Sequence, residues 1–356
     1  MIRLIRHIGP MRLMRPMRLS GFMSLIGLMS LISSCSKEQV PEPEVKQTPI
    51  AFSANQQEEE VTRAATPLSE HQTSFRVWGI KNMDTEYTTY QTVMEDYSVW
   101  YSNGSDGTST TNTQGWDYIL TAYPNQTPKY WDWEAKAYRF FAVTGETTVT
   151  KATDGSVYVA TFAADATNPD KCPYYSKLWF SNNSGDYGKP VTLQFMQPFA
   201  KVRFMVVLAD PDPNKALDLK NDDFRPTETG KSIAKKATVS ITYPMKNNGT
   251  TETFQIVENS VTQTLGSFNQ RWTETNPIWE TVIPATNQGS YTYKITVDGE
   301  EKSCVVPAQY MQWLPGYSYT YVFKVSGEGG VELATVRTSF TDWNDGEDRE
   351  YSLFNW

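Results

Sequence analysis

The stretch "YTYKITV", residues 291–297, limits most sharply what this chain can become. Tyr291, Tyr293, Ile295 and Val297 alternate without exception with Thr292, Lys294 and Thr296. A period of two places one set on each face of an extended strand. Similar runs recur as "FRVWGI" from Phe75, "KYWDW" from Lys129, "YRFFAV" from Tyr138, "VRFMVVL" from Val202 and "ATVSITYP" from Ala237. Turn-rich clusters such as "SNGSDGTSTTNTQG" and "YPNQTP" separate them. Helical periodicity is confined to "NKALDLKNDD", which has room for a turn or two. Short strands at this spacing predict an all-β chain built as sandwiches.

Finer expectations follow from the same pattern. In "WLPGYSYTYVFKV", Pro315 and Gly316 suit the middle of a type II turn that leads into a strand. In "AKVRFMVVL", Val202, Phe204, Val206 and Leu208 share one face, and Lys201 and Arg203 are expected on a solvated opposite face. "SNNSGDYGKP", residues 181–190, is dense in Gly, Asn and Ser. It is read as the break between an N-terminal sandwich, residues 48–188, and a C-terminal sandwich, residues 189–356.

The first residues carry Arg3, Arg6, Arg12, Arg15 and Arg18, then an uncharged run from Leu19 to Ser34 that ends at Cys35. A basic region followed by an apolar one is the layout of a secretory signal. The run is shorter than the roughly 20 residues that span a bilayer. Its end, "ISSC", resembles a bacterial lipobox, so residues 1–34 read as a lipoprotein signal peptide and Cys35 as the acylated residue. More than one acyl chain, palmitate among them, is required for lasting attachment to the outer membrane. Residues 35–47, polar and proline-bearing, read as a tether.

Charge and residue counts then exclude several functions. The signal holds five of the 32 basic side chains and none of the 40 acidic ones, so a chain without it carries a formal charge of −13. Nucleic-acid binding is not expected, because phosphate affinity needs clustered Lys and Arg. Cys172 and Cys304 either pair outside the cytoplasm or stay as buried thiols.

The chain has two histidines, His7 within the signal and His71 in a polar segment. Catalysis with a histidine base and zinc sites built from His and Cys both lack their parts. "TGKS" carries Arg225 where a phosphate loop needs glycine. "DWNDGED" places glycine one position early for a calcium loop, with Leu353 where glutamate belongs. No spacing singles out a carboxylate pair. No catalytic residue, metal or cofactor is expected. The eleven tryptophans include candidates for sugar stacking, although most aromatics of β-rich chains serve as core or cross-strand partners.

"IAFSAN" places Ile50, Phe52 and Ala54 on one face of a strand, with Ala51 and Ser53 on the other. An acidic, small-residue loop follows, Gln56–Pro67. Between Lys46 and Arg76 its only Lys or Arg is Arg63.

"LISSCSKEQ", "IAFSA" with "VTRAA", "KYWDWEAKAYRFFAV", "LQFMQPFAKVRFMVV" and "WLPGYSYTYVFKV" with "DWNDGE" together span residues 31–346. In this order they resemble the fimbrillin family, pilus subunits and surface lipoproteins of anaerobic Gram-negative bacteria. Pro198-Phe199 before "AKVRF" departs from the family's usual pattern. The resemblance implies two transthyretin-like sandwiches and cleavage of the Arg63–Ala64 bond by an arginine-specific protease. A lone basic residue in an accessible loop suits such cleavage. It further implies that the first strand leaves and that a strand from another fimbrial subunit refills its groove by β-augmentation. The tail "REYSLFNW", with Tyr351 and Leu353 on one face and Phe354 and Trp356 on the other, is either the donor or the last strand of its own domain. The role implied is that of a structural or accessory fimbrial subunit supporting adhesion to host or bacterial surfaces. The alternative is a permanently lipidated surface protein that binds glycans.

Overall fold

The computed structural model describes residues 47–56, 72–102, 111, 113–163, 172–208, 225–226, 234–247, 249–263, 269–272, 277–283, 290–297, 300–325 and 330–339. Cys35, Arg63, Ala64, His71, the "TGKS" and "DWNDGED" stretches and the tail residues Tyr351, Leu353, Phe354 and Trp356 lie outside them.

The described regular structure is β throughout, apart from two single 3-10 turns at Ser184–Asp186 and Ala308–Tyr310. In chain order the strands are β1 (Phe52–Gln56), β2 (Ser74–Asn82), β3 (Tyr90–Tyr101), β4 (Trp116–Asp117), β5 (Ala137–Val143), β6 (Thr148–Lys151) and β7 (Val157–Ala163). They continue with β8 (Tyr175–Ser176), β9 (Trp179–Ser181), β10 (Val191–Met196), β11 (Ala200–Leu208), β12 (Arg225–Pro226), β13 (Ala234–Pro244) and β14 (Thr253–Gln263). The last are β15 (Asn269–Trp272), β16 (Pro277–Ile283), β17 (Tyr291–Val297), β18 (Glu300–Val306), β19 (Ser318–Val325) and β20 (Val331–Ser339).

An eight-stranded sheet runs β1-β10-β8-β5-β2-β3-β4, with β9 beside β5. A four-stranded sheet runs β14-β13-β7-β6, a five-stranded sheet β15-β16-β11-β19-β20, and a three-stranded sheet β12-β17-β18. Two pairings are parallel among those described, β1 with β10 and β11 with β19. A parallel partner cannot be reached through a tight hairpin, and about 140 residues of chain separate Phe52 from its partner Val191.

Three cores follow from these sheets. Val202, Phe204 and Val206 of β11 meet Tyr293 and Ile295 of β17 and Tyr321 and Phe323 of β19, joining the five- and three-stranded sheets. The alternation expected in β17 is realised: Tyr293 and Ile295 are buried, and Thr292, Lys294 and Thr296 are half-buried. A second core joins Trp78 of β2 and Phe141 of β5 to Tyr158 of β7 and to Val239 and Ile241 of β13. The third is built from the eight-stranded sheet and its loops, with Phe52, Phe75, Tyr118, Phe140 and Phe195 at its centre.

Three expectations are revised or resolved. Lys201 and Arg203 do not face solvent; they are 1% and 2% exposed. Their face of β11 is covered, because the neighbouring Val282 of β16 packs with Phe199, Val239 and Ile241 in the second core. Lys201 Nζ lies 3.7 Å and Arg203 Nε 3.4 Å from Glu280 Oε2. The proposed break at residues 188/189 does not interrupt the sheets. β1 pairs with β10 and β7 pairs with β13 across it, and residues 47–356 form one compact unit. "SNNSGDYGKP" is a capped turn instead: Asn183 Oδ1 accepts from Gly185 N at 2.9 Å, and Tyr187 is buried against Trp131. Cys172 and Cys304 are not paired with each other and are buried in different cores.

The turn before β19 forms as expected. Gly316 has φ +83°, and Tyr317 N donates to Leu314 O at 3.2 Å, the bond that closes a type II turn with glycine at its third position.

Candidate functional site

The segment that the family resemblance marks as removable sits at one end of the eight-stranded sheet. Phe52–Gln56 pairs in parallel with Val191–Phe195 of β10. Ahead of it, Pro49 forms an isolated antiparallel bridge with Tyr130. Ile50 N donates to Lys129 O at 2.7 Å, and Trp131 N donates to Thr48 O at 3.0 Å. On the opposite edge Val191 N donates to Ala51 O at 2.8 Å. Residues 48–56 are therefore held on two sides, by β10 and by the segment 129–131.

That arrangement curls the sheet. β1 begins its order and β4 ends it, yet the two touch. Tyr118, one residue beyond β4, donates its hydroxyl to Ile50 O at 3.0 Å. The strand is a seam where the sheet meets itself, and such closure hides main-chain groups that an open edge would present.

Sequence alternation accounts for the filling of the seam. Ile50, Phe52 and Ala54 point into the third core, at 0%, 1% and 2% exposure. The Phe52 ring meets Phe75, Tyr118 and Phe140 edge-on, with centroids 6.4, 6.0 and 5.6 Å away. Edge-to-face contacts at these distances suit the aromatic quadrupole. Ala51 and Ser53 on the other face are buried as well. Ser53 Oγ and Thr192 Oγ1, opposite each other in the register, share a hydrogen bond of 2.9 Å. Burial of Ile50 and Phe52 contributes about 1.5–3 kcal/mol each.

The segment 118–135 forms the second wall. Gln126 acts there as a short substitute strand: its Nε2 donates to Ser98 O at 2.9 Å and to Tyr118 O at 2.7 Å, and its Oε1 accepts from Ser98 N at 2.6 Å. Trp131 stacks on Tyr187 with centroids 5.3 Å apart. Asp132 pairs with Lys81, and that ammonium holds its carboxyl below the usual carboxylate range. Burial raises the Tyr138 phenol, which accepts from Asp132 N at 2.6 Å, to about 12. Burial also pushes the Tyr118 phenol well above its ordinary value, so it stays a neutral O–H donor.

Of the residues singled out from sequence, Ile50, Phe52 and Ala54 come together in this seam. Cys35, Arg63, Ala64 and the tail lie outside the described residues. Sequence reasoning missed Tyr118 and the wall around it, because "YPNQTP" reads only as a turn. The available signal was "WDY", which sets Trp116 and Tyr118 on one face.

Tryptophans are mostly structural here. Among the described residues Trp78, Trp116, Trp131, Trp279 and Trp313 are buried, Trp179 is half-buried, and Trp100 and Trp133 are exposed. Trp100 stacks on Tyr123 with centroids 6.3 Å apart, and Trp133 leans on Tyr187 at 5.9 Å.

No family model matches the chain, and no curated protein matches it. Among solved structures, it is similar to a candidate cell adhesion protein from Bacteroides uniformis, at 13% identity, covering 85% of this chain and 100% of that one, with a TM-score of 0.46. A second candidate cell adhesion protein, from Bacteroides ovatus, matches at 10% identity over 86% and 98% of the two chains, with a TM-score of 0.47. A fimbrial protein from Bacteroides vulgatus matches at 13% identity over 85% and 98%, with a TM-score of 0.42.

Proposed function

We propose that this chain is a fimbrial subunit, structural or accessory, exported as a lipoprotein on Cys35 and cut after Arg63. Assembly then proceeds by exchange of the strand in the seam. One observation carries the reading: residues 48–56 close a sheet and bury Ile50, Phe52 and Ala54, and the lone arginine of the following stretch, Arg63, comes seven residues after β1 ends. Cleavage there separates the seam strand covalently from everything after it.

The energetics favour exchange over simple departure. Ile50 and Phe52 together account for about 3–6 kcal/mol of burial, and ladder bonds on two sides add to it. A cut strand leaves slowly unless another strand takes its place and recovers the same burial. A strand donated by a second copy does so, and repetition gives head-to-tail growth. The tail carrying Tyr351, Leu353, Phe354 and Trp356 is the proposed donor. Partners in this reading are other fimbrial subunits, an arginine-specific protease and, before processing, the outer membrane. The mature assembly lies at the cell surface and supports adhesion. The chain itself performs no catalysis.

Glycan capture by a permanently lipidated chain is the second reading, and it is supported by the exposed rings of Trp100 and Trp133. N-terminal sequencing of protein sheared from cells separates the two. An N-terminus at Ala64 is expected for the fimbrial subunit, and uniform retention of acylated Cys35 would overturn it.

A further inference from the structure

We infer that Tyr118 is the positioning residue of the seam, a built-in recognition point for the main chain of whichever strand lies there. This rests on the reading of the seam as an exchangeable site. In an antiparallel ladder the residues facing each other in a hydrogen-bonded pair exchange two bonds. Ile50 and Lys129 exchange one: Ile50 N donates to Lys129 O at 2.7 Å. Where the second belongs, the Tyr118 hydroxyl is inserted. It accepts from Lys129 N at 3.1 Å and donates to Ile50 O at 3.0 Å.

The insertion has a directional consequence. When the strand leaves, Tyr118 keeps its bond to Lys129 and loses only its acceptor. The vacant seam then offers a fixed O–H beside a fixed carbonyl, that of Lys129. An incoming strand must supply a carbonyl and an N–H from the residue that replaces Ile50. Proline is excluded at that position because it has no N–H. Side-chain identity there is read separately, by the pocket around Phe52. The ligand class is thus an extended peptide with a non-proline residue at the Ile50 position and an aromatic two residues later.

Hydrogen exchange on the uncut, full-length chain tests this, followed by mass spectrometry on peptides covering residues 47–52 and 129–132. Tyr118→Phe removes both hydrogen bonds of this hydroxyl, to Ile50 O and from Lys129 N, and is expected to speed exchange of these peptides by about fivefold or more. Peptides from β19 should be unaffected. Tyr243→Phe is the control, because it deletes a comparable bond, from Tyr243 Oη to Ser176 O at 2.8 Å, in a different core; it should leave residues 47–52 unchanged. Unaltered exchange of residues 47–52 in Tyr118→Phe would overturn the assignment, and so would equal acceleration of every peptide. Because the chain is uncut, the outcome stands apart from whether Arg63 is ever cleaved.

Discussion

Replacing Phe52 with alanine is expected to destabilise the chain by about 3–5 kcal/mol, the range for removing a fully buried phenylalanine. The ring is 1% exposed and sits at the centre of the third core, edge-on to Phe75, Tyr118 and Phe140. Those three rings belong to β2, to the wall beside the seam and to β5, so they cannot close the cavity without moving the sheet. Interiors pack densely enough that such relaxation is only partial. Asn55→Ala on the same strand is half-buried at its end and is expected to fall within about 0.5 kcal/mol of wild type. Urea denaturation of both variants checks the contrast. A loss below about 1 kcal/mol for Phe52→Ala would mean that the strand does not anchor the sheet. The destabilised variant should also surrender its first strand more readily once cut.

Glu280→Ala is expected to have an effect of similar size for a different reason. Glu280 is 2% exposed, opposite Arg203 in the β11–β16 register and close to Lys201. Removing this carboxylate leaves two buried cations without its compensating charge, and breaking a buried ion pair in this way costs about 3–5 kcal/mol. Replacing all three residues together by Met, Met and Leu of similar volume should be much milder, neutral or stabilising by about 1–4 kcal/mol, because it also removes the desolvation of the charges. Thermal and urea unfolding of the single and triple variants decide the matter. A single variant as stable as wild type would show that Glu280 does not balance the two cations.

These two sites mark how much of the molecule was legible beforehand. Alternation located β1, β2, β5, β11, β13, β17 and β19 and the inward face of Ile50, Phe52 and Ala54, and the Pro-Gly pair located the turn before β19. Each is a local property, set by a period of two or by one residue's dihedral freedom. By contrast, "KYWDW" forms only an isolated bridge at Tyr130. Lys201 and Arg203 were misread because alternation tells which residues share a face and not whether that face is wet. What covers them comes from β16 and from contacts near β13, some forty to eighty residues further along the chain. The break expected at residues 181–190 shows the same limit of a local reading. Its Gly, Asn and Ser mark a turn, and only the pairing of β1 with β10 reveals that the sheet continues through it. Tyr118 was hidden more deeply, since its role depends on a missing ladder bond between two segments distant in sequence.

In the proposed function the seam strand is both stable and replaceable. In the uncut chain its two walls and its buried aromatic hold it firmly. Severed from the residues after it, it remains bound by interactions that any suitably patterned strand can reproduce, so replacement is close to neutral in free energy and limited by the rate of opening.

Intact mass measurement of oligomers is the most direct test. Purified chain is cut with an arginine-specific protease, incubated at high concentration, and fractionated by size under native conditions. The account predicts oligomers whose subunits begin at Ala64 and lack the segment that ends at Arg63. Cut chain that stays monomeric and retains that segment in equal amount would contradict it.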